Sequence, residues 1–346
     1  VGPGFFPLDE ELELERGSLT PSLAEDLVLL GSWMPFAGAA QLVGHFRKVV
    51  VWEATVRRAT EKSGEAYVEV QTAQVAVLEQ ELSSAPEGPA VQQLSVDGAM
   101  VPVLHREWAE VKTLAIGTIG EPVLEGGQPV VHARELSYFS RQAQHQSFAQ
   151  LATVETHRRG TERAGRVCAV VDGAEWQQKF IDLHRPDAVR ILDWAHGAEY
   201  LAKASQAAFR AGTPEASDWM GTQLQQLKHG DPQQVLGKLR ELHQELETAD
   251  GANAEAVKVV KGSLEYLEKR REQIKYAEFQ AMGYASFLLP LLKGGHNSQP
   301  ASFSLGENWL ATSFSPPYLT RRLGLPLLHR HPPRISGYRT ALVRQG

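Results

Sequence analysis

Cysteine is almost missing from this chain. Cys168 is the single example in 346 residues, which excludes a disulfide framework and any zinc site built from clustered cysteines. Long apolar runs are missing too. No stretch approaches the roughly eighteen consecutive apolar residues of a membrane-spanning helix, and Val1 to Arg16 lacks the basic start and apolar centre of a secretory leader. A cytoplasmic protein without a membrane partner is therefore expected. Net positive charge is also lacking, with 41 acids against 35 lysines and arginines and a formal charge of −6. Any contact with nucleic acid must then come from a local basic cluster. Otherwise the composition is ordinary for a globular protein, with 42% hydrophobic and 22% charged residues, and the length allows two or three domains.

The chain divides by pattern. Residues 21–83 read as helical. Pro21 opens a first helix to about Leu30, Met34 to Phe46 forms a second, and Trp52 to Lys62 a third, with Glu65 to Ser83 continuing as a linking helix. The third is polar and carries Arg57, Arg58 and Lys62, so a helix-turn-helix that touches DNA through these residues is one reading and a plain bundle the other. Residues 90–212 read as α/β. Val91–Gly98, Trp108–Ile119 and Val130–Phe139 predict strands, Arg141–Arg159 a helix, Arg166–Gly173 a buried strand, Glu175–His184 a helix, Ala188–Asp193 a strand, and His196–Arg210 a helix. Residues 213–284 read as all helical, with one break at Asp250–Asn253 and a charged run, Glu265 to Glu272, expected to be a solvated face.

Residues 285–346 differ. Glu307 is their only acid against seven basic residues, and they hold seven of the nineteen prolines. Pro316-Pro317 and Pro332-Pro333 forbid a continuous helix. Poor order, or out-of-frame translation, is expected there.

Three aspartates could carry chemistry. Asp97, Asp172 and Asp193 each close a predicted apolar strand, at the sheet edge where ligands gather in α/β folds. Carboxylates converging there suit Mg²⁺, and two such ions about 3.5–4 Å apart stabilise the attacking and leaving oxygens of a phosphoryl displacement. An isolated Asp-Gly pair is more simply a turn. Asp193 and His196 stand at i and i+3, so Asp193 can cap a helix and His196 can orient the site.

Taken in order, Phe5-Phe6-Pro7-Leu8-Asp9, Leu19-Thr20-Pro21-Ser22-Leu23, Ser32-Trp33-Met34-Pro35-Phe36, Val96-Asp97-Gly98-Ala99, Val171-Asp172-Gly173-Ala174-Glu175-Trp176 and Ile191-Leu192-Asp193-Trp194-Ala195-His196 resemble the Kra group of bacterial insertion-sequence transposases, over about residues 2–284. The resemblance implies an RNase H-like mixed sheet with an all-α insertion, preceded by a small helix-turn-helix-like domain. It implies DNA transposition at transposon ends, two Mg²⁺ ions, a homo-oligomer and a bacterial, nucleoid-associated setting. Asp97 then matches the first catalytic and metal-binding acid and Asp172 the second, while Asp193 and His196 match a supporting pair.

Two departures accompany it. The group's third acid is a glutamate after a Gly-Tyr-Pro-Ile-Gly-Ser-Gly block. Here Met282-Gly283-Tyr284 leads into Ala285-Ser286-Phe287-Leu288-Leu289, the motif's glutamate is absent, and Gly306-Glu307-Asn308 does not match it. A frameshift near residue 285 is expected, leaving a defective transposase. The paired cysteines that precede Gly4-Phe5-Phe6 in the group are also absent, so residues 1–20 read as a remnant of a shortened N-terminal region. The competing expectations are a non-enzymatic DNA-binding remnant and an RNase H-like nuclease whose third acid is Glu272 or Glu278.

Overall fold

The computed structural model describes residues 19–81, 84–102, 107–125, 128–249 and 253–287. The N-terminal unit consists of α1 (Pro21–Trp33), α2 (Phe36–Arg47) and α3 (Glu53–Glu81). Thr20 caps α1 by accepting from the Leu23 amide at 3.3 Å, and Pro21 follows in the first turn, where its missing N–H costs nothing. Leu27, Phe36, Ala39, Val43 and Val56 close a small core among the three helices. The crossing is tight, since a Cβ on Gly31 would lie 2.3 Å from Thr60 Oγ1.

The sequence reading is corrected in α3. The third helix and the linking helix are one continuous rod of 29 residues, and Ser63-Gly64 does not interrupt it. Val56, Thr60 and Gly64 bury one stripe toward the N-terminal unit, while Gln71 and Val75 bury toward the sheet. This helical period holds the rod together across its glycine.

The sheet strands are β1 (Val91–Pro102), β2 (Trp108–Ile119), β5 (Ala133–Arg141), β6 (Arg166–Val171) and β7 (Val189–Leu192), in the spatial order β5-β2-β1-β6-β7. Only β2 runs antiparallel to the rest. A separate hairpin, β3 (Val123–Glu125) with β4 (Gln128–Val130), was not foreseen, and it moves the start of the third sheet strand from Val130 to Ala133. Its signal was the Gly126-Gly127 pair, a two-residue hairpin loop type.

Helices cover both faces of the sheet. On one lie α4 (His145–Leu151), α5 (Thr153–Arg158) and α6 (Glu175–His184). Leu94, Val96, Leu114, Phe139, Val167, Ala169 and Val171 pack there against Phe148, Phe180 and Ile181, joined by Val75 of α3. On the other lie α7 (Trp194–Phe209), α8 (Pro214–His229), α9 (Pro232–Thr248), α10 (Ala254–Lys269) and α11 (Tyr276–Ala281). Cys168, Val170, Ile191 and Leu192 pack there against Leu201, Leu227, Leu239, Val260 and Tyr276. Being buried on both faces explains why β6 is a near-continuous apolar run. Thr213 and Asp231 cap α8 and α9, each followed by proline, and Asn253 caps α10.

The helical segment also departs from the reading. The run from Ala254 to Met282 is not one helix. It breaks after Lys269 into a short 3₁₀ turn, Arg271–Gln273, before α11, because Ile274 and Tyr276 turn inward to join the core. Of residues 285–346, only 285–287 are described. They are ordered against the core, with the Trp194 amide donating to Ser286 O at 2.9 Å and Gln93 Nε2 donating to Phe287 O at 2.9 Å. The expectation of poor order for the remainder falls outside the described residues, as does the N-terminal remnant. Among the described residues no helix is long and apolar enough to cross a membrane.

Candidate functional site

Register aligns the three aspartates. Parallel pairing of β1 with β6 ends at Ser95 opposite Val170, so two residues further Asp97 stands level with Asp172. Pairing of β6 with β7 ends at Val171 opposite Leu192, so one residue further Asp172 stands level with Asp193. The Asp193 amide still donates to Val171 O at 2.7 Å. Neighbouring strands lie about 4.8 Å apart, so the sheet's carboxyl edge carries a row of three acids on adjoining strands. Alternation sends Asp97 to the face of Gln93 and Ser95, and Asp172 to that of Cys168 and Val170.

One part of the sequence reading is corrected here. Asp97-Gly98 is not a turn that ends a strand. β1 continues to Pro102, held by antiparallel pairing with β2 as far as Trp108. What ends at Ser95 is the pairing with β6 alone. Buried Gln177 from α6 fills the opening between β1 and β6. Its Nε2 donates to Val96 O at 2.9 Å, and its Oε1 accepts from the Ala174 amide at 3.1 Å. Gln177 thus ties the residue before Asp97 to the turn after Asp172.

Each carboxylate has a defined partner. Asp97 Oδ1 accepts from the Gly98 amide at 2.7 Å and Asp172 Oδ1 from the Ala174 amide at 2.8 Å. Asp193 is 1% exposed. Its Oδ2 caps α7 by accepting from the Ala195 amide at 3.2 Å and faces His196 Nδ1 at 3.4 Å. Burial and the adjacent Asp172 carboxylate push Asp97 up to about 6, against the pull of the Gly98 amide and His196. The bond to Asp193 raises His196 above its ordinary value, opposed by burial. The structure therefore groups Asp97, Asp172, Asp193 and His196 electrostatically, as one imidazole facing three acids.

Asp193 Oδ2 is engaged by the Ala195 amide and by His196. Among the described residues no three His, Cys, Asp or Glu side chains are arranged to hold a metal ion. Asp97 and Asp172 supply hard oxygen donors and an excess of negative charge that a cation would relieve, so they suit Mg²⁺ as part of a ligand set. Glu272 and Glu278 do not complete it. Both side chains are mostly exposed and pair with Lys275, and neither contributes to the field at Asp97. Arg57, Arg58 and Lys62 lie exposed on α3, outside the aspartate row. Cys168 is fully buried and its thiol is pushed up to about 12 by that burial, so it is no nucleophile.

Sequence reasoning missed the far side of the turn. The Tyr266 hydroxyl of α10 donates to Asp172 O. Arg270 Nη2 donates to Gly173 O at 2.7 Å. Gly173 sits at φ +84°, and a Cβ there would meet Arg270 Nε at 2.1 Å. Backbone strain of this kind costs about 1–3 kcal/mol. Gly173→Ala is therefore expected to lower the denaturant midpoint by an amount equivalent to about 2 kcal/mol, and a loss below a quarter of that would show the turn has room to adapt.

No known protein family matches the chain, and no curated protein matches it in sequence.

Proposed function

We propose that this chain is a DDE-type DNA transposase of the Kra insertion-sequence group, with an RNase H-like core, that has lost its third catalytic acid. The observation that carries the reading is the row formed by Asp97 and Asp172 on adjoining parallel strands, in a sheet ordered β5-β2-β1-β6-β7 with β2 alone reversed. That order and polarity suit an RNase H-like sheet. The motif matches at Asp97, Asp172, Asp193 and His196 fall on the same sheet edge.

In this reading Asp97 and Asp172 hold Mg²⁺, which when bound polarises the phosphodiester and activates the attacking hydroxyl. The chain's own residues prepare the place. The Gly98 and Ala174 amides fix one oxygen of each carboxylate. Gln177 fixes the spacing between their strands. His196, held by Asp193, offsets negative charge beside Asp97. Without a third carboxylate the ligand set is short, so transposition by the natural chain is expected to be defective. Nothing at Glu272 or Glu278 favours the nuclease alternative. A DNA-binding remnant is the form the reading takes if catalysis is lost altogether.

The direct test is the DNA around codon 285 read in all three frames. A second frame encoding Pro-Ile-Gly-Ser-Gly and then a glutamate supports the transposase ancestry. Three frames without it leave the assignment without its third acid and sink it.

DNA contact is proposed to use α1 to α3 as a helix-turn-helix-like unit. Among the described residues no ion pair engages Arg57, Arg58 or Lys62, so their charge is free for phosphates. Changing all three to glutamine is expected to weaken binding to duplex DNA at least tenfold at about 0.1 M salt, and to reduce the slope of log affinity against log salt by roughly two to three units. An unchanged slope would move the DNA contact elsewhere.

A further inference from the structure

We infer that Tyr266 and Arg270, from the all-helical segment, are positioning residues that fix the Asp172 turn and so set the geometry of the acid pair. The inference rests on the proposed reading only for the importance of Asp172. Its structural basis is independent of it.

Two contacts converge on one short turn, and a third ties their donors together. The Tyr266 hydroxyl donates to the Asp172 carbonyl. Arg270 Nη2 donates to the Gly173 carbonyl, and Arg270 Nη1 donates to Tyr266 O at 3.0 Å. The rings are themselves braced. Tyr200 of α7 stacks on Tyr266 with centroids 3.6 Å apart and planes within 10°. The Arg270 guanidinium lies 3.6 Å from the Tyr266 ring centroid. The result is a three-layer sandwich, Tyr200–Tyr266–Arg270, in which aromatic stacking and cation–π attraction hold two donors at fixed positions.

The turn is shaped to receive it. Gly173 is in the left-handed region, where its missing Cβ leaves the space that Arg270 occupies. On the other side of the turn the Ala174 amide is held by Asp172 Oδ1 and by Gln177. The backbone from Asp172 to Ala174 is thus clamped from α10 and from α6. The Asp172 carboxylate, bonded to an amide within this turn, has its direction fixed by the clamp. Residues about 95 positions later in the chain therefore control an acid on the central sheet, which gives the helical segment a task beyond covering the core.

The test uses the full chain with Tyr266→Phe, which keeps the stack and removes one donor, and Arg270→Met, with Arg270→Lys as the conservative variant. Amide hydrogen exchange at Ala174 is measured by NMR, alongside melting temperature and affinity for Mn²⁺ alone. The expected result is exchange at Ala174 at least tenfold faster in Tyr266→Phe and Arg270→Met. Mn²⁺ binding should weaken at least fivefold, the melting temperature should shift little, and Arg270→Lys should recover part of the loss. A lowered melting temperature with Ala174 exchange unchanged overturns the inference, since the residues then only pack. Faster exchange with Mn²⁺ affinity unchanged also overturns it, because the turn then does not govern the acid. If the unaltered protein binds no Mn²⁺, the metal reading fails, and the Ala174 amide alone decides whether the clamp exists.

Discussion

On the proposed reading, replacing the chain from residue 285 with the Pro-Ile-Gly-Ser-Gly block and its following Val-Glu-Ser is expected to yield a protein that nicks DNA in Mg²⁺ at least ~10²-fold faster than the natural chain. Two of the three acids are already aligned, because the register of β1 with β6 sets Asp97 level with Asp172. The described chain also approaches them correctly. The backbone carbonyl of residue 287, which a replaced residue there would still present, accepts from Gln93 Nε2, and Gln93, Ser95 and Asp97 lie on one face of β1. At about 3.3 Å per residue, Gln93 is roughly 13 Å from Asp97. A glutamate a few residues beyond this point is within reach of the site. Removing one well-placed group that stabilises charge in a transition state costs on the order of 3 kcal/mol, or 10²–10³-fold in rate, and restoring it should return a gain of that size. The measurement is nicking of supercoiled plasmid carrying the DNA that flanks the natural gene, with the natural chain and the repaired chain carrying Asp172→Asn as controls. Equal activity in the repaired chain and its Asp172→Asn variant would show that the acid row is not catalytic.

Much of this site was legible because local pattern and tertiary placement agree there. The bounds read for the strand Trp108–Ile119 and for the helix Glu175–His184 coincide with β2 and α6 residue for residue, although the half-buried alternation expected of the strand gives way to burial on both faces from Val111 to Gly117. The approach of Asp193 to His196 followed from helical spacing alone, since it needs only a helix that starts between them. The misreadings have physical causes. Asp97-Gly98 carries a turn signal, but the partner strand β2 overrides it, because the ladder continues through Gly98 opposite Lys112. The charged run Glu265 to Glu272 was expected to face solvent. Glu265 and Glu268 do form surface ion pairs with Lys261 and Arg240. Leu267 is nevertheless buried, and Tyr266 and Arg270 reach the Asp172 turn. No window of sequence could show that, because the acceptors are backbone carbonyls more than ninety residues earlier and any residue type presents the same carbonyl. The Gly173 signal was visible as part of Asp-Gly, yet its purpose, space for a guanidinium, was not.

In the metal-free protein two partly buried groups, His184 and Asp97, should titrate with opposite effects on stability between pH 7 and pH 4, and single substitutions should expose a change of about 3 kcal/mol in each direction. His184 stacks on Phe180 with ring centroids 4.3 Å apart, and its Nε2 lies 2.9 Å from Ala149 O. Burial lowers it from 6.5 to about 4. Its folded form resists protonation while the unfolded chain accepts a proton from about pH 6.5 downward. The stability it contributes is therefore full above 6.5 and lost as pH falls toward 4. Asp97 has the opposite sign. Burial and Asp172 raise it from 3.8 to about 6, so the folded state takes up a proton that the unfolded state does not. That contribution is full below 3.8 and lost as pH rises through 6. Each shift exceeds two pH units, and each unit is worth about 1.4 kcal/mol, so the two effects nearly cancel across the same window. Asp97→Asn removes the gain and leaves the His184 loss, so this variant should lose about 3 kcal/mol on acidification relative to the unaltered chain. His184→Gln should gain a similar amount. Surface acids held in ion pairs, such as Asp187 beside Arg185, titrate equally in all three proteins and drop out of the differences. Urea unfolding in chelator from pH 7 to pH 4 measures both curves. Saturating Mg²⁺ bound at Asp97 should displace its proton and steepen the acid loss of the unaltered chain toward that of Asp97→Asn. Parallel curves for all three proteins in chelator would mean that neither group is held in the protonation state its surroundings impose here.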